Sequence, residues 1–201
     1  MIIVQIGTNT AAWEENGQTF FDPCLIFVKE NQDQIEFLHL IEPISDCFPG
    51  IEKSYDFFER KKIHNIAITN NPEQKELEIF LPKHHKTSGH TSSNLQHLLS
   101  LGHRDIESRT IPCFTLNDFL ALNSIDRCDK LFIDTEGLDC LILLDYDFEK
   151  YKTNYIEFEV VHADGPFTRA DNAERCVSRL ITGGFTVTDS PNDSLNLIAK
   201  K

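Results

Sequence analysis

Long apolar runs, basic charge and close cysteine pairs are all missing from this chain of 201 residues. No window approaches the roughly 18 unbroken apolar residues of a membrane helix, so no membrane association is expected. The six cysteines (Cys24, Cys47, Cys113, Cys128, Cys140, Cys176) are scattered, with no C-x-x-C among them. That spacing excludes a tight disulfide framework and reads as buried free thiols in a reducing compartment. The 19 Lys and Arg stand against 32 Asp and Glu, a formal charge of −13. A surface that follows phosphates wants the opposite sign, so nucleic acid is a poor partner. The opening MIIVQIG has neither a basic stretch nor a small-residue cleavage site, so no signal peptide is expected and a cytoplasmic location is.

What is present is an alternation of strands and helices. Hydrophobic residues make up 40% and charged residues 25%, the balance of an ordinary globular domain, and the length suits one such domain over 1–201. Ile2 to Ile6 reads as a strand ended by Gly7. Asp22-Pro23 opens a helix that runs to about Glu30. Ile35 to Ile41 is a second strand stopped by Pro43, a helix follows within Asp46 to Arg60, and Ile63 to Thr69 is a third strand. KELEIFLP alternates like a half-exposed strand, a short helix starts near Asn94, and ESRTIPCFTL is extended. Thr115 and Asp118 form a capping-box-like helix start. Leu131 to Asp134 is a strand, a helix follows from Gly137, and NYIEFEVVH is another strand. Thr168 to Thr182 is an amphipathic helix with Ala173, Cys176, Val177, Leu180 and Ile181 on one face. FTVTD and SLNLIA, joined through Ser190 to Asp193, close the chain as a hairpin. Apolar strands alternating with helices mean a mainly parallel sheet covered on both faces, with the hairpin adding an antiparallel element at one edge.

In such a sheet, ligands sit beyond the carboxyl ends of the strands, where strand order reverses. Polar residues collect at those ends: Gly7, Thr8 and Asn9 after the first strand, Glu42 after the second, Asp134 and Glu136 after the fourth, and Glu159 and His162 after the fifth. A glycine lets the backbone approach a cofactor closely. An acid ending the second strand can accept hydrogen bonds from a ribose diol. GTNTAA lacks the second and third glycines of G-x-G-x-x-G, so no pyrophosphate cradle is expected. The stretch Glu14 to Thr19, with Asn16-Gly17 as a turn, lengthens the interval between Gly7 and Glu42. A cationic, phosphate-free nucleoside cofactor suits a rim of carboxylates, and S-adenosylmethionine is of that kind.

The sequence resembles the FkbM-type family of S-adenosylmethionine-dependent methyltransferases. The resemblance is carried in order by VQIGTN (4–9), LIEP (40–43), NIAIT (65–69), TSSNL (91–95), FTLNDFL (114–120), FIDTEG (132–137) and EFEVVHADG (157–165). It implies an α/β class I methyltransferase fold: a Rossmann-like three-layer sandwich with a mainly parallel seven-stranded sheet and an antiparallel last strand. It further implies methyl transfer, usually to a hydroxyl of a saccharide or small metabolite. By position, Gln5, Gly7, Thr8, Asn9, Ala67, Ser92 and Ser93 should line the cofactor, Glu42 should hold its ribose, and Asp134 should lie near its methionine part.

Methyl transfer needs the acceptor oxygen aligned, and a base for its proton. His162 is the first candidate, since an ordinary imidazole titrates near neutrality; Asp134 and Glu136 are the next. The alternatives are a loop histidine that bonds backbone, a helix-capping acid at 134 and a favourable charge at a helix N-terminus for 136. Glu157 and Glu159 share one strand face; Glu159 should sit at the strand's open end and Glu157 should pair with Arg or Lys. His84, His85 and His90 lack regular spacing and cysteine partners, so no metal is assigned, with an ion on Asp134, Glu159 and His162 as an outside alternative. Two other functions stay open: a catalytically inactive cofactor-binding or regulatory protein on the same fold, and a nucleotide-dependent oxidoreductase. The sequence says nothing of the acceptor's identity or of oligomeric state.

Overall fold

The computed structural model describes residues 1–15, 17–87, 89–191 and 195–201. Seven strands form the main sheet in the order β11-β12-β10-β9-β1-β4-β5. They are β1 (Ile2–Ile6), β4 (Phe37–Ile41), β5 (Lys61–His64), β9 (Lys130–Ile133), β10 (Tyr155–Glu159), β11 (Thr186–Asp189) and β12 (Asn196–Lys200). β5, β4, β1, β9 and β10 run parallel, while β12 is antiparallel to both β10 and β11. The chain moves outward from β1 to β4 and β5, then returns to β9 on the other side. The reversal between β1 and β9 opens a crevice at their carboxyl ends.

Alternation along the strands divides the core in two. Val4 and Ile6 of β1, with Leu131 and Ile133 of β9, pack under α4 (Leu116–Leu122), α5 (Asp139–Asp145) and α6 (Asp171–Thr182). Ile3, Leu38, Leu40 and Phe132 point the other way, onto α1 (Pro23–Asn31) and α2 (Phe48–Ser54). The result is the expected three-layer sandwich of class I methyltransferase type. The caps follow the sequence. Asp22 accepts from the Cys24 and Leu25 amides, Thr115 accepts from Asp118 N–H, and Pro49 lies in the first turn of α2. α3 (Leu95–Ser100) begins on the Asn94 side chain. All six cysteines are buried free thiols. Among the described residues, no helix is long and apolar enough to cross a membrane.

Three expectations change. The third strand is two pieces. Asn65 breaks it by donating its amide to the carbonyls of Glu42 and Pro43, at 3.3 and 2.8 Å. Beyond it, β6 (Ala67–Thr69) leaves the main sheet and pairs parallel with β8 (Ile106–Thr115), whose other neighbour is the antiparallel β7 (Glu76–Pro82). The surplus after Asn9 is a hairpin, β2 (Ala12–Glu15) with β3 (Gln18–Phe21), in which Trp13 stacks on Phe20 with ring centroids 5.8 Å apart. Asn16 of its expected turn lies outside the described residues, as do Asn192 and Asp193 of the closing connection. The closing hairpin sits at one edge of the sheet as expected, with β11 outermost and β12 antiparallel beside β10. Finally, α6 starts at Asp171, and Ile181, expected on its buried face, is 56% exposed at the last turn.

Gly7 (φ +78°) holds the crevice together. A Cβ there would meet the Asp134 carbonyl oxygen at 1.6 Å, so the backbones after β1 and β9 touch where no side chain fits. Gly17 (φ +77°) has open space around it. Gly7→Ala should lower unfolding stability by about 3 kcal/mol or more, whereas Gly17→Ala should cost only the roughly 1–2 kcal/mol of a left-handed backbone. Urea melts of the two variants check the difference.

Candidate active site

The turn after β1 is built against the end of β4. The Gly7 and Thr8 amides both donate to the Ile41 carbonyl, at 3.0 and 3.3 Å. Asn9 adopts φ +48° and donates its amide to Glu42 Oε2 at 2.7 Å, while Ile44 N–H donates to Glu42 Oε1 at 2.8 Å. Each carboxylate oxygen keeps a lone pair for a ligand. Burial pushes the Glu42 carboxyl up to about 7, against the opposing pull of those two amides.

The second wall is the Asp134–Gly137 turn. Asp134 N–H donates to the Ile6 carbonyl at 2.9 Å, which carries the turn straight off β9 beside Gly7. Asp139, not Asp134, is the acid that organises the helix start. Its Oδ2 accepts from the Thr135 amide and hydroxyl, and its Oδ1 accepts from Glu159 N–H at 3.2 Å, tying the turn to the end of β10. Thr135 Oγ1 in turn caps Leu138 N–H, and α5 begins at Asp139 instead of Gly137. Glu136 takes φ +55°, and its carbonyl accepts from Ser92 Oγ at 2.8 Å. Burial drives the Asp134 carboxyl well above the usual carboxylate range, and the charges of Glu136 and Glu159 add to the effect.

A cavity of about 340 Å³ lies between these walls. The nine residues expected at the cofactor all line it: Gln5, Gly7, Thr8, Asn9, Glu42, Ala67, Ser92, Ser93 and Asp134. Two of them are also committed to the frame. Gln5 Oε1 accepts from Tyr55 OH at 2.9 Å, and Ser92 Oγ, besides donating to Glu136, accepts from Asn94 N–H at 3.1 Å. Ala67 reaches the wall from β6, so the small sheet forms one side. The lining contains six carboxyl groups (Asp22, Glu42, Asp134, Glu136, Glu157, Glu159) and, among the described residues, no Lys or Arg. Burial raises Asp22, the cap of α1, to about 7. Glu157 does not pair with a cation as expected; Tyr155 OH and Ser190 Oγ donate to it, each at 2.7 Å. Two hydroxyls satisfy the carboxylate, and Lys130 acts on its charge only at longer range. Glu159 sits at the end of β10 with its side chain in the wall, the open-end position expected of it.

His162 lies in the wall of a second cavity, of about 140 Å³, which it shares with His97 and Glu136. Glu136 lines both cavities. His162 Nδ1 accepts from Phe167 N–H at 3.0 Å, so the ring proton resides on Nε2, which faces Glu136 Oε2 at 3.6 Å and Glu159 Oε1 at 3.9 Å. The first-choice base is therefore held as a proton donor toward carboxylates, and burial lowers its pKa further, with Glu136 pulling the other way. His97, on α3, was invisible as a site residue in the sequence, where it is one more residue of an apolar helix. It is 2% exposed, and its Nε2 lies 3.1 Å from Glu136 Oε2 without the alignment of a hydrogen bond; Nδ1 has no partner either. An unsatisfied buried nitrogen costs roughly 1–3 kcal/mol. The loop histidines do not converge: exposed His84 pairs with Asp105 at 2.9 Å, and exposed His90 with His103 at 2.9 Å. Asp22 and Trp13 are among the wall residues that sequence reasoning did not assign, the first because capping already accounted for it.

Residues 5–177 match the sequence model of the family described as the methyltransferase FkbM domain. No curated protein matches the chain by sequence. Among solved structures, the fold is similar to a methyltransferase FkbM from Methylobacillus flagellatus KT, with a TM-score of 0.57 and 12% identity over 99% of this chain and 43% of that one. A fibrillarin pre-rRNA processing protein from Methanococcus jannaschii matches with a TM-score of 0.49 and 11% identity over 98% of this chain and 64% of that one. The chain thus spans less than two thirds of either of these structures.

The raised carboxyls predict a pH dependence. Asp22 and Glu42 bind protons more tightly in the fold than unfolded, so their contribution to stability is complete below about pH 4 and is lost as pH rises to about 7. For Glu42 alone the loss is on the order of 3 kcal/mol. Urea midpoints of the ligand-free chain should fall between pH 4.5 and 8, and Glu42→Gln should flatten that slope.

Proposed function

The chain belongs to the FkbM methyltransferase family, and from that premise we propose that it transfers the methyl group of S-adenosylmethionine to a hydroxyl oxygen of a saccharide or small metabolite. The observation that carries this reading is the charge of the cavity. Six carboxyl groups with no lining Lys or Arg repel a phosphate-bearing cofactor and favour one with a sulfonium and an ammonium. This argues against the dinucleotide reading as well. Glu42 would accept the ribose hydroxyls, the apolar side chains of Ile66, Ile68 and Ile79 would flank the adenine, and Asp134 would meet the methionine end. Bound there, the cofactor supplies an electrophilic methyl group.

The chain's own part is to hold an acceptor oxygen in line and to receive its proton. Glu136 is the group in position for the second task, because it borders both the cofactor cavity and the smaller one. His162 Nε2–H steadies its carboxylate from one side. The small cavity, ringed by Ser93, Asn94 and His97, admits the acceptor's hydroxyl end. A neutral or cationic acceptor in the cytoplasm suits a chain of charge −13.

Two outcomes test this. S-adenosylmethionine should bind with release of protons between pH 6 and 8, because a cation lowers the raised carboxyls, and S-adenosylhomocysteine, without the sulfonium, should release fewer. Calorimetry in buffers of different ionisation heat reads both, and Glu42→Ala should weaken binding by about 1.5–3 kcal/mol. In methyl transfer to a panel of saccharides and hydroxylated metabolites, Glu136→Gln should lower kcat by about 10²–10⁴-fold with cofactor affinity nearly unchanged. Cofactor binding with no transfer to any acceptor would favour the inactive, regulatory reading.

A further inference from the structure

We propose that His97, Glu136 and His162 form a binding site for a first-row divalent metal ion, between the cofactor cavity and the small cavity beside it. No sequence spacing marks this triad, since the three residues come from three separate segments: α3, the turn after β9, and the segment following β10. The fold brings one ligand atom of each to within 4.8 Å of the others. Glu136 Oε2 lies 3.1 Å from His97 Nε2 and 3.6 Å from His162 Nε2. Ligands about 2.0–2.1 Å from a tetrahedral ion stand roughly 3.3 Å apart, so the two separations to Glu136 suit a shared ion, and the two imidazoles, within 4.8 Å of each other, lie in reach of it with a small side-chain shift. Two imidazoles and one carboxylate suit zinc or its neighbours better than magnesium or calcium.

A second observation points the same way. His97 is almost wholly buried, yet neither ring nitrogen makes a hydrogen bond, and the close approach of Nε2 to Glu136 has the wrong direction for one. A buried imidazole with an idle nitrogen 3.1 Å from a carboxylate oxygen, its ring edge-on to a second imidazole at 4.3 Å between centroids, is what ligands gathered around a common centre look like. The small cavity supplies the open side, bounded by Ser93, Asn94, Gly165 and Pro166, where a fourth ligand can enter.

One contact must change. An ion on His162 Nε2 leaves the ring proton on Nδ1, so the Phe167 amide can no longer donate there. Phe167 is 60% exposed at φ +50° in an irregular segment, so its peptide can turn without disturbing a strand or helix. The site itself does not depend on the methyl-transfer reading. Only its use rests on that reading: the ion would hold the acceptor's oxygen as its fourth ligand beside the cofactor, would take the place of the His162 Nε2 proton against Glu136, and would leave Glu136 its Oε1 to receive the acceptor's proton.

Calorimetry of the full chain with Zn²⁺, and absorption spectra with Co²⁺, test the site. One ion per chain should bind, with the visible bands of four-coordinate Co²⁺. The ¹⁵N signals of the His97 and His162 rings and the Phe167 amide should shift together. His97→Ala and Glu136→Gln should each weaken binding at least ten-fold, and the half-buried Glu136→Gln serves if His97→Ala fails to fold. The double variant His84→Ala, His90→Ala should bind like the wild type. Absence of saturable binding by the wild type, binding untouched by Glu136→Gln, or binding lost in the His84/His90 variant would overturn the proposal. Metal binding without any binding of S-adenosylmethionine would support the site and sink the functional reading, so the two fail separately.

Discussion

The backbone of Gly7 presses on the carbonyl oxygen of Asp134 at the place where the sheet reverses direction, and the rest of the crevice is arranged around that contact. Because the ends of β1 and β9 meet without an intervening side chain, the Asp134–Gly137 turn stands directly beside the Gly7–Asn9 turn. The first turn is braced by Glu42 through Asn9, and the second by Asp139 through Thr135 and the Glu159 amide. Four strand ends, those of β1, β4, β9 and β10, are thereby locked at fixed separations before any ligand arrives. Preorganisation of this kind spares a ligand the cost of ordering its own site.

The carboxyl groups around the cavity are expensive in that rigid frame. Asp22, Glu42, Asp134 and Asp139 are all buried enough for desolvation to raise their pKa. Hydrogen bonds offset part of the penalty at Glu42 and Asp139, and two hydroxyls do so at Glu157. What remains is relieved either by proton uptake on the raised carboxyls or by a cation. The site is thus less comfortable without a positively charged partner than with one, the condition under which binding energy and selectivity come from the same groups.

Much of this was legible in the sequence, for identifiable reasons. β1, β4 and β9 are short, mostly apolar runs between polar ends, and a parallel sheet forces such runs inside, while β10 is recognisable from its alternating Ile156 and Phe158. Asp22-Pro23 and Thr115 announce their helices through hydrogen bonds that span only two or three residues. The polar residues after the strands collect at one rim because all parallel strands end on the same side. The misses involve contacts over long separations. Asn65 ends β5 by reaching carbonyls 22 and 23 residues earlier, and nothing in NIAIT signals that. His97 joins Glu136 and His162 only once α3 is folded back on the sheet, and a lone histidine among leucines looks like core. Glu157 finds Ser190 across 33 residues, so a pattern that demanded a partner could not say which.

The hairpin inserted after β1 has a consequence of a different sort. Trp13 is the chain's single tryptophan, it is 44% exposed, and it lines the cavity between the two turns while stacked on Phe20. All indole emission from this protein therefore originates at the rim of the crevice, so the molecule carries its own fluorescent probe at the one place where occupancy matters.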